Sequence, residues 1–216
     1  MANVSSMKKR LIILSGFQCW QPFQDLFTKV VWANDAQVIT KNDLLLFEGG
    51  NDVSPFFYRE PNFACGPLNS DRDIYESRIF YQARQVNARM LGICRGSQFL
   101  TVMNGGKVIQ HVNGHTQSHM IETFANDLLS VTSTHHQMMN PFELKHQNYK
   151  LIAWAYPKRS DKYLNGYGEQ VNMPVEPEIV WYPKTKCLCI QGHPEYLDQK
   201  DEFVKYSRKL IKEYLL

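Results

Sequence analysis

The chain has 216 residues, of which 44% are hydrophobic and 12% aromatic, so it is long enough to bury a sizeable core and we expect one globular domain over residues 1–216. The 24 basic and 21 acidic residues give a net charge of +3, with no long run of like charges and no basic stripe interleaved with aromatic residues. Nucleic-acid-binding proteins need such a basic surface, so we expect no nucleic acid partner.

The cysteines and the apolar runs indicate the compartment. Five cysteines are an odd number, and none are spaced as CxxC, which fits neither a disulfide framework nor a zinc site. The N-terminal apolar run covers only residues 11–14, whereas a signal peptide needs about 7–15 residues and a membrane span about 18. The sequence therefore predicts a soluble cytoplasmic protein without a membrane partner.

The first half of the chain alternates between strand and helix patterns. Short apolar runs bounded by Gly, Asn, Asp or Pro have the length of buried strands, and longer stretches between them repeat apolar residues at helical spacing. This alternation favours an α/β fold with a largely parallel sheet. The predicted strands are 10–14, 36–40, 44–47 and 89–93, and the predicted helices are 71–87 (buried face Ile74, Ile79, Phe80, Ala83 and Val86), 96–104 and 200–216.

The second half of the chain has a different sequence pattern. Four β-rich segments are separated by polar loops, and they could form an antiparallel extension of the sheet. A stretch rich in turn-forming residues, 157–177, predicts a long loop that serves as a lid or a partner surface. The β-rich segments are 128–136, 149–156, 178–182 and 186–193.

One cysteine stands between two glycines at the end of a predicted strand, in Gly92-Ile93-Cys94-Arg95-Gly96. This is the pattern of a nucleophile elbow, in which a strand turns sharply, presents the nucleophile and continues as a helix. The glycines let strand and helix approach each other, and the helix N-terminus favours the thiolate. The alternative is a small buried hydrophobic residue, the commonest role of a single cysteine.

A base and its orienting group follow another apolar strand. His193 is a candidate base for Cys94, and Glu195 stands two residues further on, across Pro194. Each could instead be an ordinary residue, a satisfied histidine or a surface acid, but their occurrence together with the elbow favours a catalytic set.

The order of these and other motifs resembles the class I glutamine amidotransferase superfamily, within it the γ-glutamyl-γ-aminobutyrate hydrolase-like branch, the C26 peptidase family. The resemblance runs from about Phe47 to Tyr196. It implies a three-layer, flavodoxin-like α/β fold with a mostly parallel central sheet flanked by helices and a small antiparallel extension. The motifs are EGGNDVSPFFYRE (48–60), DRDIYE (71–76), GICRGSQ (92–98), GGKVIQHV (105–112), STHHQMM (133–139) and QGHPE (191–195).

The resemblance also implies roles for individual residues. Cys94 would be the nucleophile, His193 the general base and then acid, and Glu195 the group that orients it. The remaining positions are an oxyanion hole formed by the backbone N–H groups of Gly50 and Arg95, and a substrate pocket to which Gly49, Gln98, His135 and His136 contribute.

The histidines allow a rival interpretation as metal ligands. His111, His115 and His119 are spaced by four residues, but we can place no Asp, Glu or Cys ligand beside them or beside the pair at 135–136, so we expect no metal and no cofactor. A polar rim is the plainer account of the first three. Adjacent histidines on a strand point to opposite sides, so at most one of the pair should face the site.

Three departures from the family pattern surround the leaving-group side of the site. Phe47-Glu48 replaces the usual Leu-Pro and puts a carboxylate beside the oxyanion loop. Gly192 replaces Trp and should open space near the base. The segment 173–180 stands where the family has an Asp-Gly pair.

The sequence therefore predicts a cysteine amidohydrolase that cleaves a small γ-glutamyl amide through a glutamyl thioester and releases glutamate and an amine. A first alternative is the glutaminase subunit of an amidotransferase, which would need a separate synthase as partner. A second alternative is a non-catalytic γ-glutamyl-binding protein. The departures from the family pattern at Glu48 and Gly192 are consistent with this alternative. The identity of the amine and any homo-oligomer are left undetermined by the sequence.

Overall fold

The structure is a computed structural model that describes residues 9–216; the start of the segment tested as a signal peptide lies outside them. The strands are β1 (Arg10–Ile13), β2 (Lys29–Trp32), β3 (Asp43–Phe47), β4 (Arg89–Ile93), β5 (Lys107–Ile109), β6 (His111–Val112), β7 (His119–Thr123), β8 (Leu128–Val131), β9 (Met138–Asn140), β10 (Lys150–Ala155), β11 (Tyr163–Leu164), β12 (Pro177–Tyr182) and β13 (Cys187–Ile190). The helices are α1 (Ser70–Gln85), α2 (Arg95–Met103) and α3 (Glu202–Leu210), which continues as a π-turn over Ile211–Leu215.

Nine strands form one sheet in the order β2-β1-β3-β4-β13-β12-β10-β7-β8. Neighbouring strands are parallel to each other in the first part of this order, from β2 to β13. From β13 onward each neighbour is antiparallel. The expected parallel sheet and its antiparallel extension are thus confirmed, and they share one continuous hydrogen-bonded sheet in which the extension contributes four strands.

Helices cover both faces of the parallel part. Successive side chains of a strand point to opposite faces, so Leu11 and Ile13 belong to one core cluster and Ile12 to another. The first cluster includes Phe203 of α3, and the second includes Phe99 of α2. These are the three layers that the sequence predicts.

The second strand of the parallel sheet was predicted at the wrong place. Residues 36–40 form no strand, and Val38 is 65% exposed; the strand is β2, over Lys29–Trp32. Strand β2 lies at the sheet edge, where among the described residues it pairs with β1 alone, and its side chains are partly exposed. Its apolar run, residues 30–33, has the length of the predicted strands, so nothing local distinguishes it from 36–40.

The buried face of α1 also differs from the prediction. Ile74 and Val86 are 44% and 37% exposed, whereas Asp73 and Glu76 are fully buried together with Phe80. The two carboxylates are buried because both form ion pairs with Arg95, a tertiary contact that helical periodicity does not reveal. No helix among residues 9–216 combines the length and hydropathy needed to cross a membrane.

The segment 157–177 is mostly loop, as predicted, and it is held down by specific hydrogen bonds. Its short strand β11 pairs with β6. The Glu176 carboxylate accepts hydrogen bonds from the backbone N–H groups of Arg159 and Ser160, both at 2.7 Å, and from the Tyr163 hydroxyl at 2.7 Å. These bonds tie both ends of the segment together.

Candidate active site

Cys94 occupies the turn between β4 and α2 with φ 48° and ψ −111°, a left-handed conformation that a non-glycine residue rarely adopts. The two glycines are required by close approach. A Cβ on Gly96 would lie 2.0 Å from the Phe47 carbonyl oxygen, and one on Gly92 would lie 2.6 Å from the Gly96 carbonyl oxygen. The local geometry is that of the predicted elbow.

His193 and Glu195 follow β13, the parallel neighbour of β4, so the carboxyl ends of the two strands meet beside Cys94. The backbone N–H of Cys94 donates to the Ile190 carbonyl at 2.9 Å. His193 Nδ1 lies 2.7 Å from Glu195 Oε1, the distance of a charge-assisted hydrogen bond. Burial alone would lower the pKa of His193, but hydrogen bonds to Cys94 and Glu195 outweigh it and raise the pKa to about 10.

Three further side chains surround this pair, and sequence reasoning missed all of them. Cys19 Sγ donates to Glu195 Oε1 at 3.1 Å, and burial, with Glu195 nearby, raises the pKa of this thiol so that it stays protonated. Thr134 Oγ1 lies 3.0 Å from His193 Nε2. The Tyr196 ring stacks on the His193 ring, with the two ring centroids 4.6 Å apart. Only Thr134 had a signal in the sequence, since it lies inside the STHHQMM motif.

The predicted oxyanion loop directly follows β3. Gly50 has φ 129°, and a Cβ there would lie 2.5 Å from Arg72 Nη1, so only glycine fits. The Arg72 guanidinium donates to the Gly49 and Glu48 carbonyl oxygens, both at 2.8 Å, which fixes those peptides. The Arg95 N–H begins α2, while its side chain is engaged with Asp73 and Glu76 and is not available to a ligand.

The Glu48 carboxylate points into the protein beside that loop. It is fully buried and accepts hydrogen bonds from Ser15 Oγ and from the Cys19 backbone N–H, each at 2.9 Å. Burial outweighs these hydrogen bonds and raises its pKa. The unusual residue therefore anchors the segment that carries Cys19, and through Cys19 it is connected to Glu195.

The expectation that Gly192 opens space near the base is wrong. A Cβ at this position would lie 3.1 Å from the Phe203 ring and 3.1 Å from the Thr132 carbonyl oxygen. The aromatic ring of α3 fills the space, which is a packing relation between residues distant in sequence.

A cavity of about 280 Å³ opens at Cys94. It brings together most residues predicted for the site. Gly49 and Glu195 do not line it, and neither does any residue of 157–177. The lining residues are Phe17, Gly50, Asp52, Cys94, Arg95, Gln98, Thr134, His135, His136, Gln137, His193 and Tyr196.

The predicted substrate-binding side chains differ in their availability. Gln98 is buried, and its Nε2 donates to the Gln137 carbonyl at 3.0 Å. His136 is 40% exposed and lies 3.1 Å from Asp52 Oδ2, which raises its pKa against the effect of burial.

His135, in contrast, points into the interior, where its Nε2 lies 3.6 Å from Glu178 Oε1. The segment holding both histidines is not a strand, so the alternation argument does not apply to it, although the two side chains do point in different directions.

The geometry defines an α/β protein with a cysteine on an elbow and a His-Glu pair on the next strand. Over 96% of this chain and 95% of the other, the structure resembles a glutamine amidotransferase (tm1158) from Thermotoga maritima, with a TM-score of 0.56 and 13% identity. The fold is the class I glutamine amidotransferase fold.

The family follows from the sequence comparisons. The profile of the Peptidase C26 family matches residues 31–156. The chain is 31% identical over 150 residues to the YvdE homolog of Lactococcus lactis subsp. cremoris, a glutamine amidotransferase-like protein, covering 63% of this chain and 79% of that one. It is 36% identical over 98 residues to YvdE of Lactococcus lactis subsp. lactis (strain IL1403), covering 42% of each. The chain belongs to the peptidase C26 family.

Proposed function

We propose that the protein is a cysteine amidohydrolase that cleaves the γ-glutamyl amide bond of a small γ-glutamyl compound. The observation that carries this proposal is the arrangement at the carboxyl ends of β4 and β13. There a cysteine in a left-handed turn and a histidine bonded to Glu195 at 2.7 Å line the same cavity. Family membership supports C–N amide hydrolysis as the reaction class.

In the proposed mechanism, the thiol proton of Cys94 is already held by His193, and the thiolate sulfur attacks the γ-carbonyl carbon. The C–N bond then breaks, and the amine leaves with that proton, so a glutamyl thioester remains. Water, deprotonated by His193, attacks the thioester; glutamate leaves and the thiolate is restored. Glu195 holds the His193 ring and stabilises its positive charge throughout.

The oxyanion of both tetrahedral intermediates would be bound by the backbone N–H groups of Gly50 and Arg95. In comparable enzymes, each such donor raises the rate of the reaction by a factor of about 10²–10³. Gly49 would keep the loop against the substrate. The polar cavity wall with Gln98, Asp52 and His136 fits the charged amino-acid head of a glutamyl group.

A second candidate is the glutaminase subunit of an amidotransferase, with the same chemistry on glutamine and transfer of ammonia to a separate synthase. It is favoured by the glutamine amidotransferase-like relatives. Both candidates use Cys94, so they are distinguished by substrate and by dependence on a partner.

The test is to incubate the purified protein with glutamine and with a panel of N-substituted γ-glutamyl amides and to measure released glutamate. Cys94→Ala is the negative control, and Cys189→Ala is the matched control for removal of a buried thiol outside the cavity. We expect Cys94-dependent cleavage of at least one substituted amide, with much slower turnover of glutamine.

Cleavage of glutamine alone, or only after a synthase is added, would support the amidotransferase subunit. Turnover that survives in Cys94→Ala would contradict the covalent mechanism. A folded wild type that binds γ-glutamyl compounds without cleaving them would support the third interpretation, a binding protein without catalysis.

A further inference from the structure

A second cluster of chemically reactive side chains lies in the antiparallel part of the fold. His115, His119 and Glu178 are all buried, and their ligand atoms lie within 4.8 Å of one another. His135, from the wall of the catalytic cavity, lies beside them. Sequence reasoning had found no carboxylate for these histidines, because Glu178 reaches them only through the pairing of β12 with β10 and of β10 with β7.

The nitrogen atoms are arranged around one carboxylate oxygen. Glu178 Oε1 lies 2.9 Å from His119 Nε2, 3.4 Å from His115 Nδ1 and 3.6 Å from His135 Nε2. In a tetrahedral site with metal–ligand bonds of about 2.0–2.1 Å, neighbouring ligand atoms are separated by roughly 3.3 Å. The distances from Glu178 to His115 and His135 are close to this separation, whereas the 2.9 Å distance to His119 is that of a hydrogen bond.

The opposite nitrogen of each ring has its own partner. His119 Nδ1 lies 3.2 Å from the Gln117 carbonyl, and His135 Nδ1 lies 2.7 Å from the Gln137 carbonyl. His115 Nε2 lies 3.3 Å from Glu176 Oε2, an ion-pair contact without hydrogen-bond geometry. An N–H placed on that side of each ring leaves a bare lone pair facing the cluster, which is how outer partners orient the histidines of metal sites.

The cluster is incomplete as a set of hydrogen bonds. His115 Nδ1, His135 Nε2 and Glu178 Oε2 are buried without a hydrogen-bond partner. A carboxylate oxygen and a histidine lone pair are both acceptors, so they repel unless a proton or a metal ion stands between them. Within residues 9–216, the ion pairs of Glu176 and Glu178 are all with histidines, so neither buried carboxylate is paired there with a lysine or an arginine.

We propose that His115, His119 and Glu178 bind a divalent transition metal ion of the Zn²⁺ type. Imidazole nitrogens with one carboxylate suit zinc better than calcium or magnesium, which prefer oxygen ligands. All three ligands are buried, so the ion is assigned a structural role. It links β7 to β12, and His135 of the 134–137 segment, which forms one wall of the cavity at Cys94, lies beside it.

A metal-free ion-pair network is the competing explanation. Ion pairs with Glu176 and Glu178 outweigh burial and raise the pKa of His115 to about 9, so a proton on this ring could replace part of the metal charge.

The test uses the full chain without a polyhistidine tag, purified from cells grown with added zinc and dialysed. Metal content is measured by mass spectrometry for the wild type, Glu178→Gln, His119→Gln and the control His111→Gln, which changes a nearby histidine outside the cluster. We expect about one equivalent of zinc in wild type and control, and at least a tenfold loss in the two cluster variants. Co²⁺ added to chelator-treated wild type should give the intense visible absorption of a four-coordinate site.

Wild type without zinc after dialysis and without the Co²⁺ absorption would overturn the proposal, as would equal zinc in Glu178→Gln and wild type. If the variants do not fold, the wild-type Co²⁺ spectrum decides, together with the change in melting temperature when zinc is restored after chelation. These readouts do not involve amide hydrolysis, so the proposal stands or falls separately from the catalytic one.

Discussion

His193 shows how one side chain is set by contacts from distant parts of the chain. Glu195 lies on one side of its ring, Thr134 on the other and Tyr196 on its face. With its pKa raised to about 10, the ring is protonated near neutral pH, so its Nε2–H is directed at the Thr134 hydroxyl as well as at Cys94. In the proposed mechanism, the hydroxyl would position the proton that the leaving amine receives.

The first prediction concerns this hydroxyl. Thr134→Val keeps the shape of the side chain but removes the hydrogen bond to His193, worth about 1 kcal/mol, so kcat on the best γ-glutamyl amide should fall about fivefold. KM should change little, because the lost contact is to the base and not to the substrate. Thr134→Ser should restore the rate. An unchanged kcat in the valine variant would contradict the assigned role.

At the scale of elements, the position of the nucleophile depends on the close contact between β3, β4 and α2. The helix approaches so closely that there is no room for a side chain at position 96. A second contact, between α1 and α2, is an ion-pair cluster in which Arg95 meets Asp73 and Glu76, and Arg72 meets Glu76 at 2.8 Å. Because Arg72 also holds the oxyanion loop, this cluster connects helix packing to the site.

The second prediction tests the helix contact. Gly96→Ala places a Cβ 2.0 Å from the Phe47 carbonyl oxygen, a backbone atom that cannot move aside, so α2 must shift. We expect the free energy of unfolding to fall by about 3 kcal/mol or more, which lowers the melting temperature by roughly 6–12 °C. In the control Gly16→Ala, the new Cβ lies 3.8 Å from its nearest neighbour, the Trp32 ring. The free energy of unfolding of this variant should stay within about 0.5 kcal/mol of the wild-type value. Equal melting temperatures for the two variants would refute the packing argument.

The third prediction tests the ion-pair cluster. Glu76→Gln leaves the Arg95 guanidinium buried with one carboxylate instead of two, so the free energy of unfolding in urea should fall by about 3–5 kcal/mol. Asp71→Asn alters an exposed carboxylate in the first turn of the same helix and should cost less than about 1 kcal/mol. A loss in Glu76→Gln no larger than that in Asp71→Asn would show that the cluster adds nothing to stability.

At the scale of the whole molecule, strands drawn from residues 10 to 190 share one sheet, which supports the proposal that the chain is one domain. Its parallel half carries Cys94 and His193 at adjoining strand ends. Its antiparallel half carries the His-Glu cluster. The 134–137 segment belongs to both, because Thr134 contacts the base and His135 contacts Glu178.

The fourth prediction links global stability to pH. The pKa of His193 is raised from 6.5 to about 10, because Cys94 and Glu195 outweigh burial, so folding favours the protonated ring. This contribution is fully present below pH 6.5 and is lost as the pH rises toward 10. The difference in melting temperature between wild type and His193→Gln should therefore shrink steadily from pH 6 to pH 10. A difference that stays constant or grows over this range would contradict the raised pKa.

Local patterns in the amino-acid sequence suffice to predict the parts of this protein that depend on local order. Apolar runs and glycine spacing predict β1, β3, β4 and the elbow at Cys94, and the motif order predicts that His193 and Glu195 belong with it. These signals are local because a buried strand must be apolar and a tight turn needs glycine, whatever else the chain does.

The other contacts at the two clusters arise from tertiary packing. Cys19 reaches Glu195 across 176 positions of sequence, Phe203 fills the space at Gly192, and Glu178 joins histidines that lie on other strands. Such contacts depend on which strands become neighbours, and neighbours are chosen by the total burial and hydrogen bonding of the sheet. No periodicity within one segment carries that information, so it becomes visible only when the chain is folded.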